Sequence, residues 1–200
     1  YNIREEKFDE SLKKMRLIPN PANSGCKIAI SKDGTIIAKT LQNREIKSLK
    51  GLLPEFAKHI KSMASDEMSL LPQFFGTASI NGKTFILMKN VIPLLDAEIQ
   101  RFDLKGATNR DRYAPKGSST NRDLDFKSTF PQGLTLFDEE YQSLQRSLTR
   151  DVDCLKNQNI MDYSLLMGLV EYNEELNIPA GFQYHEVHHE ENKFLMFVGV

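Results

Sequence analysis

The chain has 200 residues, of which 40% are hydrophobic and 26% charged, and its 26 basic and 27 acidic side chains leave a net charge of -1. This is an ordinary globular composition, enough for one sizeable core or two small lobes, and it excludes a strong overall field for nucleic acid or anionic membrane. Two distant cysteines, Cys26 and Cys154, exclude a disulfide framework and fit a reducing compartment.

Lys13, Lys14 and Arg16 form a first basic cluster, which reads as a solvated face. The first hairpin signal follows. Ile28 and Ile30 precede Ser31-Lys32-Asp33-Gly34, and Thr35-Ile36-Ile37-Ala38 follow, with Asp-Gly favouring a tight turn. Ile46, Leu49, Leu53, Phe56, Ala57 and Ile60 then recur at helical spacing, with Asn43 as a cap. Pro54 predicts a break near Gly51 or the start of a second helical piece. Lys47, Lys50, Lys58 and Lys61 form a second basic cluster on this stretch, again a solvated face.

The second hairpin runs from Phe74-Phe75 and Ile80 through Asn81-Gly82 to Phe85-Ile86-Leu87-Met88. Hairpin, helix and hairpin in that order predict an antiparallel sheet with a helix against it. After Pro93, Arg101 to Gly106 reads as a short strand, and residues 109–129 read as a polar loop. Asp138 opens a long helix whose apolar stripe is Leu144, Leu148, Val152 and Leu155. Residues 172–191 read as an acidic loop before a last strand, Phe194 to Val200, and no run is long enough to span a membrane. No signal peptide is evident. The chain starts without Met and stops inside an apolar run, so it reads as part of a longer polypeptide.

Several constellations could carry chemistry. Asn159-Ile160-Met161-Asp162-Tyr163-Ser164-Leu165-Leu166 places a carboxylate among apolar residues, where a charge is paired, capping or working. Lys39 ends an apolar strand one segment after Ser24-Gly25, a turn whose N–H groups could face phosphate. That is where a kinase places the lysine that holds ATP phosphates, and Glu45 on the next helix could pair with it. Asp103 and Lys105 alternate onto one side of their strand and can pair, or Lys105 can reach a nucleotide cleft. His185-Glu186-Val187-His188-His189 satisfies a zinc-protease pattern. That pattern works only on a helix, and nothing flanking it is helical.

The motifs, in this order, resemble the phosphatidylinositol phosphate kinases from about Asn20 to Val200. The resemblance rests on Ser24-Gly25, Ile37-Ala38-Lys39-Thr40, Leu52-Leu53-Pro54 with His59, Leu71-Pro72-Gln73-Phe74-Phe75-Gly76, Phe102 to Gly106 and Ile160 to Leu166. Arg122-Asp123-Leu124-Asp125-Phe126 with Pro131-Gln132-Gly133-Leu134 is similar to the type I branch, which phosphorylates the 5-hydroxyl of phosphatidylinositol 4-phosphate. Cys26-Lys27, Ala107 and Asp111 depart from the usual pattern.

The resemblance implies an α+β, protein-kinase-like two-lobed fold. Residues 1–91 would form an ATP-binding antiparallel lobe, and residues 92–200 an incomplete catalytic lobe. It implies Asp162, Lys39 and Lys105 as catalytic residues. Ser24, Gly25, Lys39, Glu45, Asn90 and Lys105 would contact nucleotide, and Arg112 a substrate phosphate. It implies ATP and Mg2+, with the metal-binding residue expected beyond Val200. It also implies a phosphoinositide substrate, a peripheral location at the cytosolic face of membranes, no nucleic acid partner and a possible homodimer. The alternative is a non-catalytic nucleotide-binding or scaffold chain of the same fold.

Overall fold

The structure, a computed structural model, describes residues 5–18, 26–63 and 68–200. Ser24 and Gly25 therefore lie outside the described residues. The fold is mixed α+β with two five-stranded, antiparallel-rich sheets. The chain divides into two units, Tyr1–Leu53 with Pro72–Leu94, and Pro54–Leu71 with Leu95–Val200.

The first unit holds α1 (Glu5–Lys13), β1 (Met15–Ile18), β2 (Ile28–Ser31), β3 (Ile36–Leu41), β4 (Phe74–Ile80) and β5 (Lys83–Lys89), with sheet order β1-β2-β3-β5-β4. Ala29, Ala38 and Leu87 are its buried core, and Phe8, Leu12 and Phe75 pack against them. The second hairpin forms as its sequence predicts. Asn81 and Gly82 take φ of 49° and 71°, the mirror-image turn whose twist suits paired strands, between the partners Ile80 and Lys83. The first hairpin uses a longer connection. Only Gly34 is left-handed there, at φ 73°, and its N–H bonds Ser31 O at 3.0 Å.

α2 (Asn43–Lys61) is one helix, not two, and Pro54 sits inside it. A proline removes one intrahelical bond and crowds the carbonyl four residues back, and the amphipathic face on either side carries the helix through. Asn43 is the first helical residue and Gln42 holds the cap. Ile46 N–H bonds Gln42 O at 3.0 Å, and Glu45 Oε2 accepts Gln42 N–H at 2.7 Å.

The second unit is built on β6 (Gln100–Leu104), β7 (Asn121–Arg122), β8 (Leu165–Glu171), β9 (His185–His189) and β10 (Asn192–Gly199), ordered β7-β6-β8-β10-β9. Phe102, Phe130, Met167, Leu169, Val187, Phe194 and Met196 are its core. Leu195 and Phe197, on the opposite face of β10, are also buried, which is why this strand reads as a continuous apolar run. The helices are α3 (Asp123–Thr129) and α4 (Asp138–Asn157).

Two expected loops contain regular structure. In 109–129, α3 forms because Asp125 Oδ2 accepts the N–H of its cap residue Arg122 at 2.9 Å, and Phe126 meets Phe102 edge-to-face at 5.2 Å. In 172–191, His185–His189 pairs with β10. Sequence-local polarity hid both, because long-range packing stabilises them.

Candidate functional site

The Asp162 segment is presented by the end of α4. Ile160 N–H bonds Leu155 O and Asn159 N–H bonds Lys156 O, both at 3.0 Å, while Asn159 takes φ 53°. This is a Schellman closure with Asn in the left-handed position. Three residues on, Asp162 is itself left-handed, at φ 64°, before β8 begins at Leu165. A non-glycine residue held there is a strained backbone position of the kind that gathers at functional sites. The turn leaves the Asp162 side chain 83% exposed, and Met161 beside it 85% exposed.

Lys105 supplies the ammonium that meets Asp162 Oδ1. Of the two readings of Lys105, the pairing with Asp103 does not occur. β6 ends at Leu104 and Gly106 turns left-handed at φ 70°, which takes the chain out of strand geometry at Lys105. Asp103 Oδ1 is buried without a hydrogen-bond partner among the described residues. The Lys105 hydrogen bond and charge, helped by Arg112, hold the Asp162 carboxyl below the ordinary carboxylate range. Lys105, Lys156, Asn159, Ile160, Met161, Asp162 and Tyr163 line a cleft of about 610 Å³.

Arg112 is held inward. Its guanidinium donates to Asp123 Oδ2 and to Asp103 O at 2.7 and 2.8 Å, and its side chain is 12% exposed. Asp123 Oδ1 also accepts three successive backbone N–H groups, from Lys105, Gly106 and Ala107, at 3.0, 2.8 and 3.2 Å. Burial opposes the Asp123 charge, but the Arg112 hydrogen bond, the backbone N–H groups of Asp123 and Ala107, and the Arg112 charge outweigh it and keep the carboxyl below its usual range.

In the first unit, Lys39 lies on β3 with its Nζ 3.7 Å from Glu45 Oε1. Both side chains are more than a third exposed, so the pair adds little stability. Asn90 is buried, its amide donating to Gly34 O at 2.8 Å and Ile92 O at 2.5 Å, and it ties the first hairpin to the chain leaving β5.

The zinc-protease pattern lies on β9, an antiparallel strand. His185 and His189 are then about 13 Å apart along the strand, too far to share one ion. Among the described residues no group of three or more His, Cys, Asp or Glu side chains could hold a metal.

Asp151 is the residue that sequence reasoning missed most completely. It is fully buried on α4 and accepts hydrogen bonds from His59 Nε2 at 2.6 Å, Leu70 N–H at 2.6 Å and Ser69 Oγ at 3.0 Å. A carboxylate oxygen only accepts, so His59 carries its proton on Nε2 in this contact. The available signal was its spacing, since Asp151 falls between Leu148 and Leu155 on the apolar stripe.

A lysine on a central strand, a helix glutamate beside it, and an exposed carboxylate paired to a second lysine define a protein-kinase-like α+β chain. Comparison with known proteins narrows the class. Residues 9–195 match the family described as Phosphatidylinositol-4-phosphate 5-Kinase. The chain is 34% identical to the human phosphatidylinositol 4-phosphate 5-kinase type-1 beta over 161 residues, 76% of this chain and 29% of that protein. It is 34% identical to the rat type-1 alpha enzyme over 179 residues, 84% of this chain and 32% of that protein. The chain belongs to the phosphatidylinositol-4-phosphate 5-kinase family. It spans about a third of the length of these curated relatives.

Proposed function

We propose that this chain is part of an ATP-dependent lipid kinase that phosphorylates the 5-hydroxyl of phosphatidylinositol 4-phosphate. The observation that carries this reading is the Lys105–Asp162 pair, with Asp162 on a left-handed turn and both residues lining the cleft. In the transfer, the inositol hydroxyl oxygen forms a bond to the γ-phosphorus of ATP, the bridging P–O bond breaks, and ADP leaves. The hydroxyl proton passes to Asp162. A carboxylate with a lowered pKa is a weak base, so Asp162 acts chiefly by orienting the hydroxyl and accepting its proton late. Lys105 keeps it ionised, and Arg112 adds positive potential toward an anionic headgroup.

Lys39, aligned by Glu45, is assigned to the triphosphate, together with Ser24 and Gly25. Asn90 shapes the edge of that site through its backbone ties. Residues 1–91 are the nucleotide-binding part and residues 92–200 the catalytic part. Phosphoryl transfer of this kind uses Mg2+ to neutralise phosphate charge. No group of three or more His, Cys, Asp or Glu side chains among the described residues could hold it. Among the described residues no helix is long and apolar enough to cross a membrane, and we assign the enzyme a peripheral place on the cytosolic face.

The test is Asp162→Asn in the natural full-length polypeptide, since Asn tolerates the same left-handed backbone. Turnover with phosphatidylinositol 4-phosphate should fall by about 10²-fold or more, with phosphatidylinositol 5-phosphate assayed beside it. Unchanged turnover sinks the assignment.

A further inference from the structure

Asp123 belongs to none of the site groups above, yet its carboxylate is only 8% exposed and reaches two of them. One oxygen gathers the consecutive N–H groups of Lys105, Gly106 and Ala107. Successive amides converging on one point form a nest, an anion-binding concavity. Here the anion is a side chain from the start of α3, and its second oxygen is clamped by Arg112 Nε at 2.7 Å. Arg112 is in turn tied to Asp103 O, in strand β6 two residues before Lys105.

The chain around Lys105 is thus fixed from both sides, by Asp123 in front and by Arg112 on Asp103 behind. Lys105 needs such a fixture. Its position follows β6 and precedes a left-handed glycine with open space around it, so the strand ladder does not hold it. A lysine also has four rotatable bonds to reach Asp162.

We propose that Asp123 is a positioning residue for phosphoryl transfer: by filling the amide nest at Lys105–Ala107 it sets the Lys105 ammonium on Asp162. The inference rests on the roles of Lys105 and Asp162 given above. Misplacing a reacting group by about 1 Å costs on the order of 10²-fold in rate. Asp123 reaches the transfer step through Lys105, so its contribution to kcat disappears when the ammonium is absent, while its clamp on Arg112 is read in the KM for the lipid.

The experiment is a double-mutant cycle in the natural full-length polypeptide, reading kcat for lipid phosphorylation. Asp123→Asn keeps the size of the side chain but loses the charge that Arg112 clamps. Alone it should lower kcat by about 10- to 100-fold. In a Lys105→Met background it should cost less than about threefold. Equal losses in both backgrounds, or no loss in the first, overturn the proposal, because a residue needed only for folding would act additively. If Asp123→Asn lowers the melting temperature too far to assay, Gly106→Ala, which strains the same left-handed turn while leaving the Asp123 carboxylate in place, takes its place in the cycle with the same two expectations. Full turnover by Lys105→Met alone would instead sink the site reading on which the inference stands.

Discussion

Asp151 decides whether the second unit holds its shape. Its carboxylate has no exposure and satisfies Leu70 N–H, Ser69 Oγ and His59 Nε2 together. Asp151→Ala would leave a buried amide and an imidazole N–H without an acceptor. Breaking a buried charged network costs about 3–5 kcal/mol. We expect the melting temperature to fall by roughly 10 °C, and Asp151→Asn, which keeps one acceptor, to cost about 1–3 kcal/mol. A calorimetric scan showing no difference between the alanine and asparagine variants would contradict the network. Residue-level legibility was uneven for a physical reason. Asp162 sits in a run whose neighbours make a charge conspicuous. Asp151 and Asp123 sit in polar stretches, and their partners lie 81 and 17 residues away at Leu70 and Gly106.

The two hairpins separate what a turn dipeptide encodes from what packing adds. Asn81-Gly82 is a free-standing turn, since a Cβ on Gly82 would meet nothing within 4 Å. At Gly34 a Cβ would come within 2.7 Å of Leu94 Cγ. Gly82→Ala should therefore cost only left-handed strain, about 1–2 kcal/mol. Gly34→Ala adds overpacking and should cost about 2–4 kcal/mol. Urea unfolding of both variants, read by a probe in the first unit, checks the order, and equal costs would contradict the packed turn. Strands with period-two alternation and strong turns were legible from sequence. α3, β8 and β9 were not, because the apolar faces that stabilise them belong to β6 and β10. α1 and β1 gave no periodic signal at all beyond a basic cluster.

Across the whole chain, 26 basic groups stand against 27 acidic ones, so stability in acid depends on which carboxylates the fold holds ionised. Asp123 is one. Asp33 is another: burial opposes its charge, but hydroxyls of Ser11 and Ser31, each at 2.6 Å, and Thr35 N–H at 3.2 Å hold its carboxyl below the ordinary range. Each group has a lower pKa folded than unfolded. Near the unfolded value, about 3.9, the unfolded chain binds more protons than the folded one, so stability rises with pH there. The contribution is complete above about pH 5 and is lost as pH falls through the depressed folded values. Asp33 and Asp123 share no hydrogen-bonding partner, which makes their contributions additive. Urea unfolding should give a lower stability at pH 3.5 than at pH 5, beside a separate loss between pH 7 and pH 5 from His185, whose imidazole is held below its usual range by burial. In the Asp33→Asn, Asp123→Asn double variant the loss between pH 5 and pH 3.5 should shrink by the sum of the two single effects. A double variant whose acid loss matches that of the natural sequence would mean that neither carboxylate is held ionised by its hydrogen bonds, and the amide nest at Lys105 would lose its electrostatic basis with them.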